Sequence, residues 1–197
     1  MPFGFIKLNI PDVILIEPVS YIDSRGYFLE MFKSSSFSEN GIDLRLPQDN
    51  LSFSKRGTVR GLHFQKHPCE QGKLVSVITG SIFDVAVDLR INSNTFGKYV
   101  SANLSEDNHS SLWIPPGFGH GFMAIEDSHV MYKVTNEYNK DYDSGIVWND
   151  PDIGVLWPDI APIISDKDRK LITLNHYKKE IGMIRACNFW LLAGWDS

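Results

Sequence analysis

The sequence predicts an all-β domain, and three observations carry the prediction. First, apolar and polar residues alternate at period two. The clearest case is "SIFDVAVDLR" (81–90), where Phe83, Val85, Val87 and Leu89 share one face and Asp84, Asp88 and Arg90 share the other. That is the pattern of a strand half-buried against a core. Second, turn-forming stretches such as "SNTFG" (93–97) and "EDNHS" (106–110) separate the apolar runs. Third, helical periodicity is scarce. Many short strands at regular spacing in one chain suggest a closed sandwich or a jelly roll.

Taken in order, "VILIE" (13–17) is a β-rich run closed by Pro18, and "SSFSEN" (35–40) is enough for one helical turn. "RGLHFQ" (60–65) reads as a short strand in which Gly61 lets another group come close. "KLVSVIT" (73–79) and "SIFDVAVDLR" flank Gly80 and read as a hairpin or a bent pair. "YVSANLS" (99–105), "SLWIPP" (111–116), "GFMAIE" (121–126) and "HVMYKVTNEY" (129–138) continue the strand series, and "SDKDRKLITLNHYKKE" (165–180) predicts a longer helix. No repeat or linker interrupts the chain, so residues 1–182 are expected to form a single domain. The apolar, aromatic tail 183–197 is expected either to pack on it or on a second subunit, or to be poorly ordered.

Composition narrows the function. At 197 residues, 43% hydrophobic and 22% charged, the chain can bury a sizeable core. A net charge of −5 argues against nucleic acid or a membrane surface as partner, while a small anionic ligand needs only a few local cations. Cys69 and Cys187 match neither a disulfide framework nor a zinc pattern, and free thiols fit a reducing cytoplasm. The first apolar run is broken by Lys7, Pro11 and Asp12, unlike a signal peptide. No segment approaches the ~20 apolar residues of a transmembrane helix.

The chemistry begins at His63, which is either an ordinary core histidine, a metal ligand or a base. "PPGFGH" (115–120) has the form Pro-x-Gly-x-x-His and resembles the second motif of the cupin superfamily, small jelly-roll barrels. The first cupin motif usually offers His-x-His and then a Glu seven residues before a Gly. Here "HFQ" supplies His63 and Gln65, and the position seven before Gly80 is Lys73. An ammonium in place of a carboxylate repels a divalent cation and suits a pocket that holds or develops negative charge. A metal-free site is therefore expected.

Longer blocks carry a closer resemblance. "DSRGYFLEMF" (23–32), "PQDNLSFSKRGTVRGLHFQ" (47–65), "QGKLVSVITGSIFDVAVDLR" (71–90), "TFGKYVSANLS" (95–105), "LWIPPGFGHGF" (112–122), "YKVTNEY" (132–138), "IVWNDPDIGVLWP" (146–158) and "SDKD" (165–168) resemble the dTDP-4-dehydrorhamnose 3,5-epimerase family. The resemblance implies a cupin-type jelly-roll homodimer with short peripheral helices and no cofactor. The substrate it implies is a dTDP-linked 4-keto-6-deoxyhexose. A ketone at carbon 4 acidifies the hydrogens on carbons 3 and 5. Inverting either carbon needs a base, a cation at the enolate oxygen, and an acid on the opposite face.

His63 is the candidate base, since imidazole titrates near neutral pH. Asp168 is its partner by resemblance, although Ser165-x-x-Asp168 also reads as a helix capping box, and Asp84 is a competing carboxylate. Lys73 would stabilise the enolate and Tyr132 would be the opposed acid. By resemblance, Arg60, His120 and Lys167 contact diphosphate and sugar, and Gln48, Asp49 and Asn50 belong to the nucleotide site. Likewise Tyr138 stacks on thymine, and Arg25 and Glu30 reach the nucleotide across the dimer. Asp143 stands where the family usually has Glu. Strict alternation puts Arg60 on the opposite strand face from His63.

Three other readings compete with a double epimerase. A single epimerase at carbon 3 or carbon 5 would keep nearly the same residues. A metal-dependent cupin is opposed by Gln65 and Lys73. A sugar-nucleotide-binding module would not need both a base and an opposed acid.

Overall fold

The computed structural model describes residues 2–42 and 45–182. The tail 183–197, with the expectations for it, lies outside them. Along the chain run β1 (Phe3–Lys7), β2 (Ile14–Pro18), β3 (Tyr21–Asp23), β4 (Gly26–Phe28) and a helix α1 (Ser34–Glu39). There follow β5 (Gln48–Ser54), β6 (Thr58–Gln65), β7 (Lys73–Thr79), β8 (Ser81–Asp88) and β9 (Tyr99–Ser105). The series closes with β10 (Ser111–Ile114), β11 (Phe118–Ala124), β12 (Ser128–Val134), β13 (Asp143–Gly145) and β14 (Ile163–Ile164). The fold is mostly β, as expected from the alternation.

Two six-stranded sheets face each other across the main core. One has the order β1-β2-β10-β7-β12-β5; the other has β13-β6-β11-β8-β9, with β14 pairing β6 in parallel. Between them pack Val75 and Val77 of β7, Ile82 and Ala86 of β8, Leu112 of β10, Phe118 and Phe122 of β11, and Val130 of β12. Each of these side chains except Ala86 contributes roughly 1.5–3 kcal/mol when fully buried. A second cluster covers the outer face of the second sheet, where Leu62, Val85, Val87 and Leu89 meet Ile146, Ile153 and Leu174. A third seats α1 on the first sheet through Phe37, Ile14, Ile16 and Trp113.

Three expectations need correction. β7 and β8 do not form a hairpin, because they lie in different sheets. Gly80 is the corner between them; its φ is 76°, and a Cβ there would lie 2.4 Å from the Asp127 carbonyl oxygen. β8 is buried on both faces rather than one. Its apolar residues meet the outer cluster, so its polar face, with Asp84 fully buried, looks into the space between the sheets. The predicted helix over 165–180 is interrupted. Residues Asp168–Lys170 form one 3-10 turn, Ile172 bridges to Ile146, and helix resumes only at residue 174. Ser165 explains the break: its hydroxyl accepts from the Asp168 N–H, but the Asp168 side chain turns away from the cap toward β6.

Candidate active site

A cavity of about 300 Å³ opens between the two sheets at one end. β6 and β11 supply Arg60, His63, Gln65, His120 and Phe122 from one wall. β5, β7 and β12 supply Gln48, Asn50, Lys73 and Tyr132 from the other. Tyr138, Asp143 and Lys167 stand at the rim.

Arg60 and His63 reach one cavity because β6 is irregular. His63 pairs with His120 and Arg60 with Phe122, so two residues of β6 oppose one of β11. That bulge cancels the alternation that would have separated them. It depends on Gly61, whose φ is 123° and where a Cβ would lie 2.5 Å from the Gly121 Cα. The Arg60 guanidinium is then held by the Ser54 hydroxyl at 2.9 Å and the Phe53 carbonyl at 3.0 Å.

His63 Nε2 lies 2.8 Å from Asp168 Oδ1. β14 brings this carboxylate in: Ile164 pairs with Val59, and the chain turns at Ser165 to set Asp168 beneath β6. The second Asp168 oxygen accepts from the Gly61 N–H at 3.4 Å. Burial pushes the Asp168 carboxyl up, but the hydrogen bond and charge of His63, with the Gly61 and Ser165 bonds, outweigh it and hold it below its ordinary value. A carboxylate can only accept, so neutral His63 carries its proton on Nε2 and leaves Nδ1 bare. Asp84, the rival carboxylate, lies instead 2.6 Å from His120 Nε2.

Lys73 is buried and donates to the His63 carbonyl at 3.1 Å, tying the two sheets together across the cavity. Burial pushes its ammonium down to about 8, against the pull of Asp84 and Asp143. Tyr132 comes from the sheet opposite His63; burial pushes its phenol up, with Arg60 opposing, so the proton stays on at neutral pH. His120 is also buried and its imidazole is pushed down by desolvation, with Asp84 pulling it up and Lys73 and His63 lowering it further. At the rim Asp143 accepts from Lys167 Nζ at 2.5 Å and from the Tyr138 hydroxyl at 3.2 Å. Gln48 accepts from the Tyr138 N–H and donates to Asn50.

Besides Asp168, which lies behind His63, three expected residues do not reach the cavity. Asp49 alternates to the other face of β5 and pairs with Lys133 at 2.7 Å. Arg25 sits on the exposed β3–β4 hairpin, paired with Asp23 at 2.6 Å, and Glu30 follows that hairpin. Neither touches the pocket of its own chain. Conversely, Phe64, Gln65, Gln71 and Phe122 line the cavity although no site role was assigned to them. Gln65 and Phe122 were findable, each two residues along a strand from a predicted histidine. Gln65, in a cupin ligand position, donates to the Cys69 and Glu137 carbonyls and accepts from the Asn139 N–H, anchoring the loops beside the cavity. Among the described residues no three His, Cys, Asp or Glu side chains gather as a metal-holding group.

Comparison with known proteins agrees with this geometry. The family model described as dTDP-4-dehydrorhamnose 3,5-epimerase matches residues 7–176. The chain belongs to the dTDP-4-dehydrorhamnose 3,5-epimerase family. A dTDP-4-dehydrorhamnose 3,5-epimerase of Methanothermobacter thermautotrophicus is 53% identical over 173 residues, covering 85% of this chain and 92% of the relative. The crystal structure of the enzyme of that name from Sulfolobus tokodaii is 50% identical, with a TM-score of 0.83 over 89% of this chain and 97% of that one. A dTDP-6-deoxy-D-glucose-3,5-epimerase from Legionella pneumophila, solved in complex with dTDP-4-keto-L-rhamnose, is 41% identical, with a TM-score of 0.85 over 88% and 93% of the two chains. As a member of this epimerase family the chain is an isomerase. No described helix is long and apolar enough to cross a membrane.

Proposed function

We propose that the chain epimerises dTDP-4-dehydro-6-deoxy-D-glucose at carbons 3 and 5, giving dTDP-4-dehydro-L-rhamnose for dTDP-rhamnose synthesis. One observation carries the reading. A histidine–carboxylate pair and a protonated phenol face one cavity from opposite walls, with a buried ammonium between the sheets. His63 Nδ1 removes the proton from carbon 3 or carbon 5, and Asp168 stabilises the imidazolium that forms. The electron pair passes to the carbon 4 oxygen as an enolate, which Lys73 holds by charge. Tyr132 returns a proton to the carbon from the other wall, inverting it. Proton transfers from these side chains balance the reaction, so no cofactor or metal is required by it.

The remaining assignments follow the same reading. Arg60 and Lys167 supply donors for the diphosphate and sugar, His120 contacts the sugar, Gln48 and Asn50 contact the nucleotide, and Tyr138 at the rim stacks on thymine. On diphosphate arrival, Lys167 exchanges its Asp143 partner for phosphate. The β3–β4 hairpin leaves Ile22 82% exposed beside exposed Tyr21, Tyr27 and Phe28, which supports a homodimer. In that dimer Arg25 and Glu30 serve a second copy's nucleotide. Residues 1–182 form one cupin-type jelly-roll domain, with the tail 183–197 appended, and the enzyme works in the cytoplasm.

The test is solvent exchange. Chelator-treated protein receives dTDP-4-keto-6-deoxyglucose in heavy water, and deuterium at carbons 3 and 5 is counted by mass spectrometry and NMR. Label at both carbons is expected. Label at one carbon makes the chain a single epimerase, and label at neither refutes the assignment.

A further inference from the structure

Asp84 is fully buried on the face of β8 that looks between the sheets. One oxygen lies 2.6 Å from His120 Nε2; the other, Oδ2, has neither solvent nor a hydrogen-bond partner among the described residues. A buried carboxylate oxygen without a partner is costly and calls for a compensating role. Asp84 is also a negative charge acting on Lys73, which is buried on the facing sheet.

We propose that Asp84 is a positioning residue of the epimerase pocket: one oxygen fixes the His120 imidazole as the Nε2–H tautomer, and the unpaired oxygen supplies the buried negative charge that keeps Lys73 an ammonium. The inference rests on the reading of Lys73 as the enolate-stabilising cation.

A carboxylate has no proton to give, so the short Asp84–His120 bond requires the hydrogen on Nε2. His120 lines the cavity, so Nδ1 is left as a bare acceptor for a substrate hydroxyl. Desolvation works against the Lys73 ammonium, and the bond to the His63 carbonyl and the charges of nearby carboxylates offset it. Lys73 feels the charges of Asp84 on β8 and Asp143 on β13, bonds the His63 carbonyl of β6, and shares the cavity with Arg60, His120, Tyr132 and Lys167. Of the two carboxylates, Asp143 is already engaged by Lys167 and Tyr138. Asp84 is the one whose unpartnered oxygen is buried. A merely structural Asp84 would be replaced by asparagine, which has nearly the same shape and no charge, without moving the titration of Lys73.

The test separates shape from charge with Asp84→Asn. In wild-type protein, ¹⁵N NMR of the imidazoles, assigned with His120→Gln, should show His120 as the Nε2–H tautomer. The Lys73 Cε resonance, assigned with Lys73→Met, should titrate near 8. In Asp84→Asn the Lys73 midpoint should fall by roughly one unit, the usual effect of a near opposite charge, whichever amide atom faces His120. The ammonium fraction at about pH 8 then drops about fivefold, and kcat/KM with it, with little change at about pH 6. An Nδ1–H tautomer in the wild type overturns the proposal, and that measurement needs no folded Asp84 variant. An unmoved Lys73 midpoint in Asp84→Asn overturns it too. A midpoint that moves while kcat/KM keeps its pH profile upholds Asp84 as the counter-charge and refutes the role given to Lys73.

Discussion

Replacing Asp168 with asparagine perturbs the His63 pair with little change of shape. The carboxylate makes a 2.8 Å bond to His63 Nε2 and is almost fully enclosed. A hydrogen bond to a charged partner contributes roughly 1.5–3 kcal/mol. His63 becomes charged only as it takes the substrate proton, so that energy belongs mainly to the transition state. At about 1.4 kcal/mol per factor of ten, its loss lowers kcat by ~10- to ~150-fold. The amide adds a second loss. Its NH₂ can donate to Nε2, which moves the ring proton to Nδ1 and blocks the atom that should act as base; in hydrolase His–Asp pairs the same exchange costs ~10⁴-fold. The expected loss therefore lies between about 10²- and 10⁴-fold in kcat. The assay is turnover with a coupled reductase, beside calorimetric titration with dTDP, whose affinity should hold because Asp168 does not line the cavity. A kcat within about threefold of wild type would refute the dyad. So would an equal loss in dTDP affinity, which would make Asp168 a scaffold for the pocket.

His63→Ala should lose nearly all turnover while still binding dTDP; wild-type-like rates would remove His63 from the mechanism. Tyr132→Phe should still exchange substrate hydrogen with solvent but give less inverted product, read by NMR of the sugar, and unchanged stereochemistry and rate would require another acid. Lys73→Met should abolish turnover yet raise stability near neutral pH. The ammonium is held at about 8 against an ordinary 10.5, so below about 8 the folded state carries the whole cost, up to ~3 kcal/mol, and stability recovers only as pH rises from about 8 to 10.5. Urea unfolding at two pH values checks that sign; a less stable Lys73→Met would contradict it.

The strands were legible because alternation is a local pattern, whereas most pocket residues were named only through the family resemblance. Period-two alternation located β7 to β12, and the Pro-x-Gly-x-x-His spacing set His120 on β11. What escaped was set by the space between elements. Alternation along β6 separated Arg60 from His63, and only the bulge opposite Gly121 reunites them. The polar face of β8 looked like a wet surface, because nothing local tells that a second sheet lies over Asp84. The pairing of Asp168 with His63, and of Asp84 with His120, spans 105 and 36 residues, distances over which one sequence carries no register. The Asp49 side chain is turned away by the same alternation that points Gln48 and Asn50 into the cavity.

The exchange of a cupin carboxylate for Lys73 reorganises everything around it. A buried ammonium is a liability to the fold, and β7 could carry an apolar residue there more cheaply. The cost is met on the opposite sheet, by Asp84 with its unpaired oxygen and by Asp143 at the rim. Each of these carboxylates also holds a second group, His120 in one case and Lys167 with Tyr138 in the other. Charge balance and side-chain orientation are therefore the same interactions in this cavity. A pocket built this way is close to neutral when empty and keeps its cation for the moment negative charge appears on the substrate, which is when an ammonium in a low-dielectric site is worth most.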